Sequence, residues 1–111
     1  MTTDSAATGS LVIHSARLIE HGAEVADSWV RIEDGRVVAV GTGQSWSRAD
    51  EVVDATVVAG PDAVLTPGFI DIHCHGGAGA SFDDGAEAIR KARALHRSHG
   101  TTRSVISLVT A

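Results

Sequence analysis

The chain has 111 residues, 43% of them hydrophobic, with 9 basic against 14 acidic side chains and a net charge of −5. That length suits one small domain or a piece of a larger protein, and an acidic balance without a basic patch argues against nucleic-acid binding through phosphate neutralisation. One cysteine gives no internal disulfide framework, no apolar run approaches the ~20 residues that span a bilayer, and the polar amino terminus lacks a secretory pattern; a cytoplasmic chain without membrane partners is expected.

Residues 1–10 are Thr, Ser, Asp, Ala and Gly after the initial Met and read as a disordered leader. From Leu11 the pattern turns β-like. Leu11-Val12-Ile13-His14 forms a short strand, and residues 25–33 form a second containing Trp29-Val30-Arg31-Ile32. Asp34-Gly35 is a preferred two-residue hairpin turn, and Arg36-Val37-Val38-Ala39-Val40 returns as its partner. Residues 41–50 make a polar loop, and residues 51–54 and Thr56-Val57-Val58 are further short strands. Residues 11 to about 60 thus read as an antiparallel β unit with no helical stretch.

The pattern changes at Val64-Leu65-Thr66-Pro67-Gly68. Residues 69–75 form a strand with Phe69, Asp71, His73 and His75 on one face and Ile70, Ile72 and Cys74 on the other. His73 and His75 lie about 7 Å apart along such a strand, close enough to converge on one cation binding nitrogen at roughly 2.0–2.1 Å. Gly76, Gly77 and Gly79 follow at once and leave the strand end open for a sharp turn. An isolated His-x-His pair is more often a pair of surface histidines; the apolar strand before it and the glycines after it favour metal ligation.

Asp83-Asp84-Gly85 offers a carboxylate N-cap, and Glu87 stands three residues after Asp84 in capping-box spacing. A helix is predicted from there to about His99, with Ala88, Ala92, Leu95 and His99 on its inner stripe and Arg90, Arg93 and Arg97 solvated. Gly100 supplies the left-handed residue that ends it. Ser104-Val105-Ile106-Ser107-Leu108-Val109 is the next buried strand, completing a parallel βαβ unit. A (β/α)₈ barrel takes roughly 250 residues, so only its first strand, helix and second strand would be present, in an amino-terminal segment of a longer protein.

The run Pro67-Gly68-Phe69-Ile70-Asp71-Ile72-His73-Cys74-His75-Gly76-Gly77 resembles the first barrel strand of the amidohydrolase superfamily. The longer string from His75 through Gly79-Ala80-Ser81-Phe82 to Gly85, with His99-Gly100-Thr101-Thr102 and Ser107-Leu108-Val109-Thr110, is similar to N-acetylglucosamine-6-phosphate deacetylases. The resemblance spans residues 11–111 and implies an α/β fold. Residues 11–63 would be a small β-sandwich segment and residues 64–111 the first β-α-β of a metal-dependent (β/α)₈ barrel. It also implies a divalent-metal hydrolase, with one or two metals and most often zinc, that removes acetate from an amino-sugar phosphate as a cytoplasmic homodimer. The metal would polarise the amide carbonyl and activate water. His73 and His75 are the positions that match the family's metal pattern. The remaining ligands and the general base are expected beyond Ala111, so the isolated chain is expected to bind zinc weakly and to be inactive. A dihydroorotase-like or D-aminoacylase-like amidohydrolase, or an inactive fragment, is the alternative.

Other residues carry plainer readings. Cys74 is expected as a packed thiol against the helix layer, since strand alternation turns it from the histidines. Asp71 either orients a ligand or makes a structural hydrogen bond. His96 and His99 suit the negative end of a helix and are read as structural; His14 and His21 lie in the β unit with no partner pattern and are read as structural or surface residues.

Overall fold

The computed structural model describes residues 8–110, in two compact units that divide between Pro67 and Gly68. Most of the leader expected over residues 1–10 lies outside the described residues; Ser10 already opens the first strand.

The first unit is one five-stranded sheet. β1 (Ser10–Glu20) and β2 (Ala23–Glu33) pair antiparallel through a His21-Gly22 turn, and β2 pairs antiparallel with β3 (Arg36–Thr42) through Asp34-Gly35. Both central residues of each turn have positive φ, 51° and 73° in the first and 49° and 77° in the second, the backbone that a two-residue hairpin demands. The Asp34-Gly35 turn was legible in sequence; the His21-Gly22 turn was not. β4 (Glu51–Asp54) and β5 (Val64–Leu65) both pair with β1 in parallel, so the sheet is mixed rather than antiparallel throughout.

The strand expected at Thr56-Val57-Val58 is instead helical, within α1 (Ala55–Ala59). Asp54 overrides the β-branched run by capping it: its Oδ1 accepts from the Thr56 hydroxyl at 2.6 Å and the Thr56 amide at 2.9 Å. Ala55 is buried and packs with Ala16 and Ala63, so small side chains let the helical turn lie close to β1. Val57 and Val58 point outward, 81% and 75% exposed, and gain nothing from a strand.

The two Thr56 bonds hold the Asp54 carboxyl below its ordinary value of 3.8. A carboxylate depressed on folding contributes stability that is complete above the unfolded pKa and lost as pH falls through the folded one. Asp54→Asn is therefore expected to unfold more easily than the parent at neutral pH, with the gap closing in acid below about pH 3.8. Unfolding midpoints by circular dichroism across that range test this; a gap independent of pH would exclude the charged cap as its source.

The second unit contains β6 (Phe69–Cys74), a small hairpin of β7 (Gly76–Gly77) and β8 (Ala80–Ser81), a 3₁₀ turn over Phe82–Asp84, α2 (Ala86–Ser98) and β9 (Thr101–Ile106). β6 and β9 pair in parallel across α2, the strand–helix–strand unit expected from the sequence, but the second strand runs Thr101–Ile106, stops short of Leu108 and Val109, and leaves Val105 and Ile106 exposed rather than buried. Gly100 ends α2 as expected: its φ is 97°, its amide donates to Arg97 O, and its carbonyl accepts from Phe69 N at 2.9 Å, which sets β9 beside β6.

The expected capping box does not form. Ser81 caps the 3₁₀ turn by accepting from Asp83 N, α2 begins after Gly85 without a side-chain cap, and Glu87 pairs with Arg90. The inner stripe is also rotated. Ala88 and Ile89 are half-buried, Ala92 is fully buried and His96 is half-buried, while Leu95 and His99 are exposed. The cause is the short core, made of Cys74, Phe82, Ala92 and Ile89, which places the helix over the carboxyl end of β6. Toward the other end Ile70 and Ile72 stay 63% and 78% exposed. Among the described residues no helix is long and apolar enough to cross a membrane.

Candidate metal centre

β6 delivers His73 and His75 to its carboxyl end with both rings exposed. Their Nε2 atoms stand 3.0 Å apart, the ring centroids 5.0 Å apart and the ring planes tilted by 59°. Two nitrogens sharing a tetrahedral zinc at 2.0–2.1 Å would be about 3.3 Å apart, so the donor pair fits one edge of such a site. Among the described residues no group of three His, Cys, Asp or Glu side chains gathers around a common point, so the pair is half of a ligand set.

The neighbours of the pair hold the backbone. Asp71 Oδ1 accepts from His73 N at 3.1 Å, which is the structural role weighed for it in the sequence. Cys74 points away from the histidines into the core, buried beside Phe82 and Ala92. Beyond His75 the chain folds back through Ala78-Gly79, with φ of 53° and 74°, so that β8 lies on β7. Gly76 and Gly77 permit this closeness: a Cβ on Gly76 would strike the Ala80 carbonyl, and one on Gly77 would lie 2.6 Å from His96 Nε2. These glycines shape the turn that leaves the histidine pair, as expected.

His96 tucks under that turn, with Nε2 2.8 Å from Gly76 O and 3.5 Å from Cys74 Sγ. Its structural reading holds, but its partner was not legible. His99 is exposed at the end of α2. In the first unit His14 stacks on Trp46 at 5.0 Å and bonds Ser15, and exposed His21 lies 3.4 Å from Glu20, so neither joins a ligand cluster. Phe82 was missed as a core residue, although it is one of only two phenylalanines and follows the glycine run directly.

A parallel strand–helix–strand unit with two histidines converging at a strand's carboxyl end, joined to a mixed β sheet, places the chain in the α/β class. Within that class it is related to N-acetylglucosamine-6-phosphate deacetylases. It is 36% identical over 75 residues to the N-acetylglucosamine-6-phosphate deacetylase of Bacillus subtilis strain 168, covering 68% of this chain and 18% of that protein. The crystal structure of the N-acetyl-D-glucosamine-6-phosphate deacetylase from Mycobacterium smegmatis matches with a TM-score of 0.74 at 36% identity, over 91% of this chain and 27% of that one. A mutant of the Mycobacterium smegmatis enzyme in complex with N-acetyl-D-glucosamine-6-phosphate matches with a TM-score of 0.72 at 33% identity, over 95% of this chain and 26% of that one. No protein-family model matches the chain. The chain spans only about a fifth to a quarter of the length of these relatives.

Proposed function

We propose that this chain is the segment of a metal-dependent N-acetylglucosamine-6-phosphate deacetylase that supplies its first two metal ligands, His73 and His75. The observation that carries the reading is the 3.0 Å convergence of their Nε2 atoms at the end of β6, in a chain with this sequence likeness to deacetylases. The whole enzyme would release acetate and glucosamine 6-phosphate. The two units would correspond to a flanking β-sandwich segment and the start of a (β/α)₈ barrel, working as a cytoplasmic homodimer. The remaining ligands and the general base come from chain outside these residues.

His73 and His75 would hold the cation, a divalent metal that imidazole nitrogens suit, with zinc the metal that the family resemblance implies. When bound, the cation would supply Lewis-acid polarisation of the amide carbonyl and acidify water. The residues here prepare for that. The two Nε2 atoms already face one another at 3.0 Å. Ligation through Nε2 would need each neutral ring to carry its proton on Nδ1. The glycine turn beyond His75 carries no side chain that could crowd the pair at Gly76 or Gly77.

Hydrolysis by the full-length protein of N-acetylglucosamine 6-phosphate, N-acetylglucosamine and an N-acetyl-D-amino acid, followed as acetate release, and of dihydroorotate, followed as ring opening by ultraviolet absorption, tests the reading. Turnover of the phosphorylated sugar well above the others is expected. Turnover of N-acetylglucosamine but not its 6-phosphate, or of dihydroorotate or the N-acetyl-D-amino acid instead, would refute it.

A further inference from the structure

We infer that His96 is a positioning residue for the metal-binding pair, fixing from helix α2 the backbone that carries His75; this rests on the metal reading proposed above. His75 is followed by Gly76 and Gly77, two residues with the greatest backbone freedom in the chain. A stiffer residue at Gly76 would run into the Ala80 carbonyl, and one at Gly77 would push the His96 ring aside. Rigidity must therefore come from outside the segment.

It comes from three successive carbonyls, each tied to a different element. Cys74 O accepts from Ser107 N just beyond β9 at 2.9 Å, and His75 O accepts from Phe82 N in the 3₁₀ turn at 2.9 Å. Gly76 O accepts from His96 Nε2 at 2.8 Å. The first two ties use backbone amides; the third uses side chains, the His96 ring at 2.8 Å and, more weakly, the Cys74 thiol at 3.5 Å on the same carbonyl. A carbonyl only accepts, so His96 Nε2 carries the proton. The ring is half-buried, and it also touches Cys74 Sγ at 3.5 Å, so it grips the segment on both sides of His75. His96 lies on a different element from His73 and His75 and needs no contact with the cation to act on it.

The test is a cobalt(II) titration of the full-length metal-free protein, followed by visible absorption, with thermal unfolding of the same samples. His96→Leu keeps apolar volume but loses the donor, and is expected to weaken cobalt binding about tenfold, the lower end of what outer partners of metal ligands contribute. His96→Gln keeps a donor at similar reach and is expected to restore most of that affinity. Gly77→Ala displaces the ring while leaving His96 in the sequence, and serves if the leucine variant does not fold. Its effect should not add to that of His96→Leu in the double variant, because both break the same bond. Unchanged cobalt affinity in the leucine variant alongside a lower melting temperature would make His96 a packing residue only and overturn the inference, as would additive losses. Wild-type affinity in His73→Ala would instead overturn the metal reading, and this inference with it.

Discussion

Replacing His73 or His75 by alanine in the full-length protein is expected to reduce kcat/KM for N-acetylglucosamine 6-phosphate by about a thousandfold or more. The magnitude follows from the several kcal/mol of transition-state stabilisation that a catalytic cation supplies, at about 1.4 kcal/mol per factor of ten. Both rings are exposed, and the hydrogen bond between their Nε2 atoms is the one side-chain bond the structure gives them. Neither contributes to the apolar core, so the unfolding midpoint of the metal-free variants is expected to shift by no more than about 0.5 kcal/mol in stability. Activity and metal content should fall together while the fold persists. The double variant should lose little more than either single one, since the residues act as one chelate and their effects do not add. Unchanged turnover with unchanged metal content would remove the pair from the mechanism.

Much of what positions this pair was legible because it rests on short-range chemistry. The Asp34-Gly35 turn, the strand leading to His73 and His75, and the Gly100 helix stop each depend on residues within a few positions of one another. The departures come from longer-range choices. Thr56-Val57-Val58 has strand composition, yet Asp54 caps it and Ala55, Ala16 and Ala63 pack it as a helical turn. Asp84 and Glu87 have capping-box spacing, yet Ser81 takes the cap one turn earlier because Phe82 must enter the core. The helix phase then follows Phe82 and Cys74 rather than the apolar count, so His96 turns inward and Leu95 outward. The His96–Gly76 bond joins residues 20 apart, and no local spacing announces it. Parallel pairing of β4 and β5 with β1 was likewise hidden, since antiparallel hairpins alone carry a turn signature.

Phe82→Ala is expected to destabilise the second unit by about 3–5 kcal/mol, the usual loss for emptying a buried phenylalanine site. Phe82 is 2% exposed and is the largest member of a core that otherwise holds Cys74, Ala92 and part of Ile89. Alanine and cysteine cannot collapse into the space it leaves, so the upper part of that range applies. Against the 5–15 kcal/mol that holds a typical domain together, such a loss is large. Phe82→Leu, which keeps most of the apolar volume, should lose distinctly less. Hydrogen exchange in the full-length protein resolves where the loss falls. Amides of β6, α2 and β9 should exchange faster in Phe82→Ala, while those of β1 and β2, whose core residues Val12 and Ala16 lie in the other unit, should keep their protection. Equal acceleration in both units would mean that the two unfold as one, and no acceleration would mean that Phe82 is not the keystone of its core. The Phe82 amide also holds His75 O, so faster exchange there marks loss of one of the three ties behind the histidine pair. A variant that keeps both histidines but binds cobalt more weakly would then show that the chelate is set by the packing beneath it as much as by the His-x-His spacing.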